Sequence, residues 1–266
     1  MDRSIDHRSR DLYYRKQGRG LPLLLIHGFA EDGSIWETLD SELSEKWELI
    51  IPDLPGSGRS AFNPRSKSIE DLAECIWQIL EEERIPSAAI IGHSLGGYVA
   101  LAFADKYPQR LSALGLFHST AYPDSAEKKE TRKKGIRFIE RNGAAAFLGQ
   151  SIPNLFAADF NRLYPETVMQ LIERYNNFNQ ESLVSYYHAM MKRPDRTHVL
   201  RNLQRPVLFI AGEKDQAVPL EHILQQCHLP DLCYIHILEN TAHMGMYEDR
   251  ARSKMILDEF LSQAIK

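Results

Sequence analysis

The chain has 266 residues, a net charge of −4, 43% hydrophobic and 26% charged residues, and three cysteines. That length allows one large α/β domain or two small ones with a sizeable core. The slight acidic balance argues against a nucleic-acid partner, and no long uncharged apolar run is present for a transmembrane helix. Met1 to Arg10 is charged and lacks the apolar core of a secretory signal. Cys75, Cys227 and Cys233 have no regular spacing, which favours free thiols and a cytoplasmic protein. A zinc site from Cys227, His228, Cys233 and His236 is rejected, because the spacing matches no structural zinc pattern.

Asp11 to Lys16, with Tyr13 and Tyr14, reads as an edge strand. Leu21 to Ile26 is a short apolar run, as expected of a strand buried on both faces of a parallel sheet. Ser34 to Leu43 predicts a helix with Ile35, Trp36, Leu39 and Leu43 on its apolar side. Trp47 to Pro52 predicts a second buried strand. Ser68, followed three residues later by Asp71, predicts a capped helix with an apolar stripe from Leu72 to Leu80. The apolar run Ala88 to Ile91 then meets Gly92-His93-Ser94-Leu95-Gly96-Gly97, and a helical pattern follows. Strand, sharp turn and helix around Gly-x-Ser-x-Gly is the setting of a nucleophile elbow.

Leu111 to Phe117 predicts a further strand. From about Tyr122 to Thr197 only helical patterns appear: Ala126 to Arg141, Ala144 to Leu148, Pro165 to Phe178 and Gln180 to Met191. Strands return at Pro206 to Ala211 and Tyr234 to Leu238, with helices at Leu220 to Cys227 and Arg250 to Ala264. The alternation implies a mostly parallel sheet covered on both faces. The expected organisation is a core of residues 1–121 and 198–266, with a helical cap of 122–197 inserted after the 111–117 strand.

A serine hydroxyl needs a base, and the base needs a group that fixes its tautomer. After Ser94, the acid expected at a strand end is Asp215, with Glu213 as its rival, and the base is His243. Nucleophile, acid, base is the chain order of this architecture. The oxyanion hole is expected from the backbone amides of Leu95 and Phe29. The substrate pocket is expected to include Trp36, His118, Phe147 and Tyr187, with a satisfied structural role kept open for His118. The basic run Lys128, Lys129, Arg132, Lys133, Lys134, interleaved with Glu127 and Glu130, reads as a solvated helix face.

His27-Gly28-Phe29, Asp53-Leu54-Pro55-Gly56-Ser57-Gly58-Arg59-Ser60, Gly92 to Gly97, Gly212 to Asp215 and Ala242-His243 together resemble the α/β-hydrolase superfamily in its capped branch. The resemblance covers nearly the whole chain except the cap, and departs from many relatives in having Ser57 where they carry histidine. It implies the α/β-hydrolase fold, a small-molecule substrate, no metal or organic cofactor, and acyl transfer to water through Ser94, His243 and Asp215. Relatives with the same triad catalyse carbon–carbon bond hydrolysis, lyase or perhydrolase chemistry, and some bind ligands without turnover. The expected substrate is a small carboxylic ester, lactone or thioester; its identity and the oligomeric state stay open.

Overall fold

A computed structural model describes residues 2–7 and 10–264. Met1, Arg8 and Ser9, part of the charged N-terminal stretch, lie outside the described residues. The first half contains β1 (Asp2–His7), β2 (Arg10–Gln17), β3 (Leu21–Ile26), α1 (Glu37–Leu43), β4 (Trp47–Pro52), α2 (Ile69–Glu82), β5 (Ala88–His93), α3 (Leu95–Lys106) and β6 (Leu111–Phe117). Five helices follow without a strand: α4 (Ala126–Ser151), α5 (Ala158–Leu163), α6 (Pro165–Tyr175), α7 (Gln180–Lys192) and α8 (Thr197–Asn202). The chain then returns to the sheet as β7 (Val207–Gly212), α9 (Leu220–Leu224), β8 (Cys233–Leu238), α10 (Gly245–Glu248) and α11 (Arg250–Ala264).

The eight strands form one sheet in the order β1-β2-β4-β3-β5-β6-β7-β8. β1 with β2 and β2 with β4 run antiparallel, and every other neighbouring pair is parallel. The segment expected to be the edge strand is therefore second from the edge. β1 lies outside it, in a charged stretch where no apolar alternation marks a strand. Along the central strands, neighbours point to opposite faces, and both faces are buried. Leu24, Ile90 and Phe209 pack towards α2 and α3, while Leu25, Ile91 and Ile210 pack in the cluster that includes Ile256 and Phe260 of α11. The Ser68 and Asp71 side chains close a capping box at the start of α2.

The expected break near residue 142 is present as a bend rather than a gap. Gly143 takes φ +84° inside α4, and the helix resumes on its far side. Three short helices, α5, α8 and α10, were not anticipated, because four to six residues give too few turns for an apolar stripe to show.

β4 lies on one side of β3 and β5 on the other, so the chain order reverses at β3. Crevices form at such a switch point beyond the carboxyl ends of the strands. Packing there is tight between β5 and α3. A Cβ on Gly92 would overlap the Gly96 backbone, and a Cβ on Gly96 would meet the Ile26 and His27 carbonyls. Gly92→Ala is expected to cost about 3 kcal/mol and lower Tm by roughly 10 °C. A thermal melt within about 2 °C of the parent would contradict this packing.

Candidate active site

Segments that follow β3, β5, β7 and β8 line the crevice. The serine lies between β5 and α3 with φ +50° and ψ −114°, a conformation an L-residue adopts only under constraint. Its N–H donates to the Phe117 carbonyl at 3.0 Å, and its carbonyl accepts the Ser119 hydroxyl at 2.7 Å and the Gly97 N–H at 3.0 Å. These bonds hold the turn from both sides, and Ser94 itself stays half-buried at the cavity wall.

Asp215 follows β7 and is buried. Its Oδ1 accepts the Ala217 and Val218 N–H groups at 2.8 and 2.9 Å. Its Oδ2 lies 2.7 Å from His243 Nδ1 and 3.3 Å from His118 Nδ1. Burial would raise its pKa, but the His243 charge and the bonds from both histidines outweigh burial and hold the carboxyl well below the usual range. Glu213 is exposed and accepts the Asn240 N–H at 2.8 Å, so it serves the neighbouring turn.

His243 is buried, 3% exposed, and lines the same cavity as Ser94. With Nδ1 donating to an ionised Asp215, Nε2 is left as the basic nitrogen. The loop that carries His243 is fixed by Glu248. Its Oε1 accepts the Ala242 and Met244 N–H groups at 3.1 and 3.0 Å, and its Oε2 accepts the Ala157 N–H at 2.8 Å.

His118 and Trp36 do not line the cavity, which corrects their placement in the pocket. His118 is fully buried behind Asp215, accepts the Gly245 N–H at Nε2 over 3.2 Å, and is pushed down to about 4 by burial. It is a neutral structural partner of the carboxylate. Trp36 is fully buried with its ring edge-on to Phe117 at 5.8 Å, because the short helical turn that holds it faces the core. Phe147 and Tyr187 do line the cavity. Phe29 stacks on Tyr187 at 4.4 Å and meets Phe147 edge-on at 6.3 Å. The backbone N–H groups of Phe29 and Leu95, one in the loop after β3 and one at the start of α3, have no hydrogen-bond partner among the described residues.

His118, Asp215 and His243 place possible metal-ligand atoms within 4.8 Å of one another. The lone pairs a metal would need are engaged: Asp215 Oδ2 by His243, and His118 Nε2 by Gly245. Among the described residues, Cys227, His228, Cys233 and His236 form no such group. No helix among the described residues is long and apolar enough to cross a membrane.

Two features escaped the sequence reading. Glu31 is buried, its Oε2 accepting the Gly28 N–H at 2.6 Å and lying 2.9 Å from His93 Nδ1. His93 Nε2 donates to the His243 carbonyl at 2.9 Å. The other is the pair Lys128 and Arg132, which line the cavity. Lys133 and Lys134 are exposed, as a solvated face requires, but the i, i+4 spacing of Lys128 and Arg132 turns those two inward. That spacing was the available signal.

A parallel sheet with a strained serine turn and a buried Asp–His pair at its carboxyl edge defines the class. The chain belongs to the alpha/beta hydrolase fold family, whose model matches residues 22–249. It resembles the malate-bound structure of a thermophilic esterase from Thermogutta terrifontis, with TM-score 0.93, 28% identity and complete coverage of both chains. It is 27% identical to a 2-hydroxy-6-oxononadienedioate/2-hydroxy-6-oxononatrienedioate hydrolase of Paraburkholderia phymatum, over 95% of this chain and 91% of that protein. A pimeloyl-[acyl-carrier protein] methyl ester esterase of Vibrio vulnificus is 30% identical over 80% of this chain and 83% of that protein.

Proposed function

We propose that the protein is a serine hydrolase of small carboxylic esters, lactones or thioesters, with Ser94 as nucleophile, His243 as general base and Asp215 as its orienting acid. The observation that carries this reading is the shared cavity of Ser94 and His243, with His243 Nδ1 held 2.7 Å from Asp215. His243 Nε2 takes the Ser94 proton as Oγ attacks the acyl carbon, and the imidazolium is stabilised by Asp215. The Leu95 and Phe29 amides receive the oxyanion. His243 then returns the proton to the leaving group. In the second half, it deprotonates a water that attacks the acyl-enzyme, and Ser94 is regenerated.

The cavity of about 200 Å³ suits a small acyl group. We read residues 122–197 as a cap over the strand ends, supported by the Phe147, Leu148 and Tyr187 side chains in the cavity wall. Cys75, Cys227 and Cys233 form no disulfide, which supports a cytoplasmic setting.

Product analysis with short p-nitrophenyl esters, γ- and δ-lactones and an acyl thioester tests the reaction class. Hydrolysis of at least one group, with turnover lost in Ser94→Ala, is the expected result. Inactivity on all three, with cleavage of a vinylogous diketone, would assign the triad to carbon–carbon bond hydrolysis instead.

A further inference from the structure

We propose that the site takes an anionic substrate, an ester or lactone carrying a carboxylate that is bound by Lys128 with Arg132. The inference rests on the hydrolase reading above for which bond is cleaved, but not for the anion site itself.

The chain is acidic overall, yet the cations gather on one wall of this cavity. Lys128, Arg132 and Arg193 surround a single carboxylate, Asp124. Arg132 Nε and Nη2 donate to it at 2.6 and 3.2 Å, and Arg193 Nη1 donates at 2.8 Å. Arg193 is otherwise committed to the Met190 and Tyr122 carbonyls and stacks over Tyr98. Among the described residues, Lys128 Nζ donates only to a neutral acceptor, the Ala217 carbonyl, at 3.0 Å. Arg132 Nη1 has no partner among the described residues. Three cations share one directly bonded carboxylate, Asp124, and Asp215 acts on Lys128 only through space, so positive charge is in excess in this half-buried place.

Among the described residues, Glu31 is the one carboxylate in the cavity wall, and it is already paired with His93. Burial and the nearby Arg132 push Lys128 below its usual pKa, a cost that a bound anion would remove. Lys128 also marks a boundary. With Tyr98, Thr131 and Ala217 it lines both the Ser94 cavity and an adjoining, more open one of about 670 Å³. A carboxylate held there leaves the apolar wall of Phe29, Phe147 and Tyr187 to the chain that joins it to the scissile carbonyl.

The test is calorimetric titration of Ser94→Ala protein with monomethyl adipate and with its uncharged counterpart methyl hexanoate. The anion is expected to bind at least about tenfold more tightly, the size of one charge-assisted hydrogen bond. Its affinity should fall by a similar factor in Ser94→Ala/Lys128→Met and return in Ser94→Ala/Lys128→Arg. Absence of anion binding, or equal affinity for the two esters, overturns the proposal whether or not the Lys128 variants fold. So does an affinity that folded Lys128→Met leaves unchanged. Labelling of the wild-type protein by an uncharged fluorophosphonate reads the hydrolase assignment separately. Labelled protein whose Ser94→Ala form ignores the anion keeps the hydrolase reading and discards the anion site. Unlabelled protein whose Ser94→Ala form binds the anion does the reverse.

Discussion

Ser94→Ala is expected to lower kcat on a small ester by on the order of 10⁴-fold or more, and His243→Ala by a similar factor. The two residues act on one proton, so the double variant should be no worse than either single one. A base without its nucleophile has nothing to activate, and a serine without its base stays protonated. The residual rate should come from the Phe29 and Leu95 amides and from binding in the aromatic cavity. Steady-state kinetics on the three folded variants checks this. Losses that multiply in the double variant would show that the residues act independently and would reject the shared-proton mechanism.

The second large effect is expected at Glu31, which touches no proposed reacting atom. The carboxylate, the His93 ring and the His243 carbonyl form one buried chain. His93 Nε2 must donate, because a carbonyl can only accept. Burial would raise Glu31 and lower His93, but their mutual attraction and hydrogen bonds outweigh burial in both, so Glu31 lies below its ordinary value and His93 above. The pair is therefore an ion pair, and Glu31→Ala leaves a buried imidazolium uncompensated. The expected cost is about 3–5 kcal/mol, or on the order of 10 °C in Tm.

Its pH dependence follows from the two directions. The contribution of Glu31 is present above its unfolded pKa and is lost as pH falls through the depressed folded value. That of His93 is present below its unfolded pKa and is lost as pH rises through the elevated folded value. With ordinary values of 4.5 and 6.5, the stability gap between wild type and Glu31→Ala should be widest between those limits and narrow on either side. Urea denaturation from pH 4 to 9 measures it. A gap under about 1 kcal/mol throughout would mean that the pair contributes nothing net.

The sheet was legible in the sequence because its central strands are buried on both faces, and a continuous apolar run such as Val207–Gly212 has one good explanation. The site was legible for a related reason. A serine between two glycines after such a run needs a special backbone, and Asp215 and His243 stand where later strands end. What stayed hidden depends on contacts rather than on pattern. β1 lies in a charged stretch and exists by pairing with β2. Glu31 carries no signal in the sequence because its partner, His93, is 62 positions away. The basic run looked uniformly solvated, because its i, i+4 spacing alone does not say that the side carrying Lys128 and Arg132 meets the cavity. Trp36 and His118 sit near the site in the chain, but the core claims both side chains.

The central claim is that Ser94 is an activated nucleophile, and intact mass after a fluorophosphonate probe tests it most directly. One stoichiometric adduct on wild type, absent in Ser94→Ala and slowed in His243→Ala and Asp215→Asn, is the predicted result. Folded wild-type protein that gains no adduct, or Ser94→Ala protein that gains one, would contradict it.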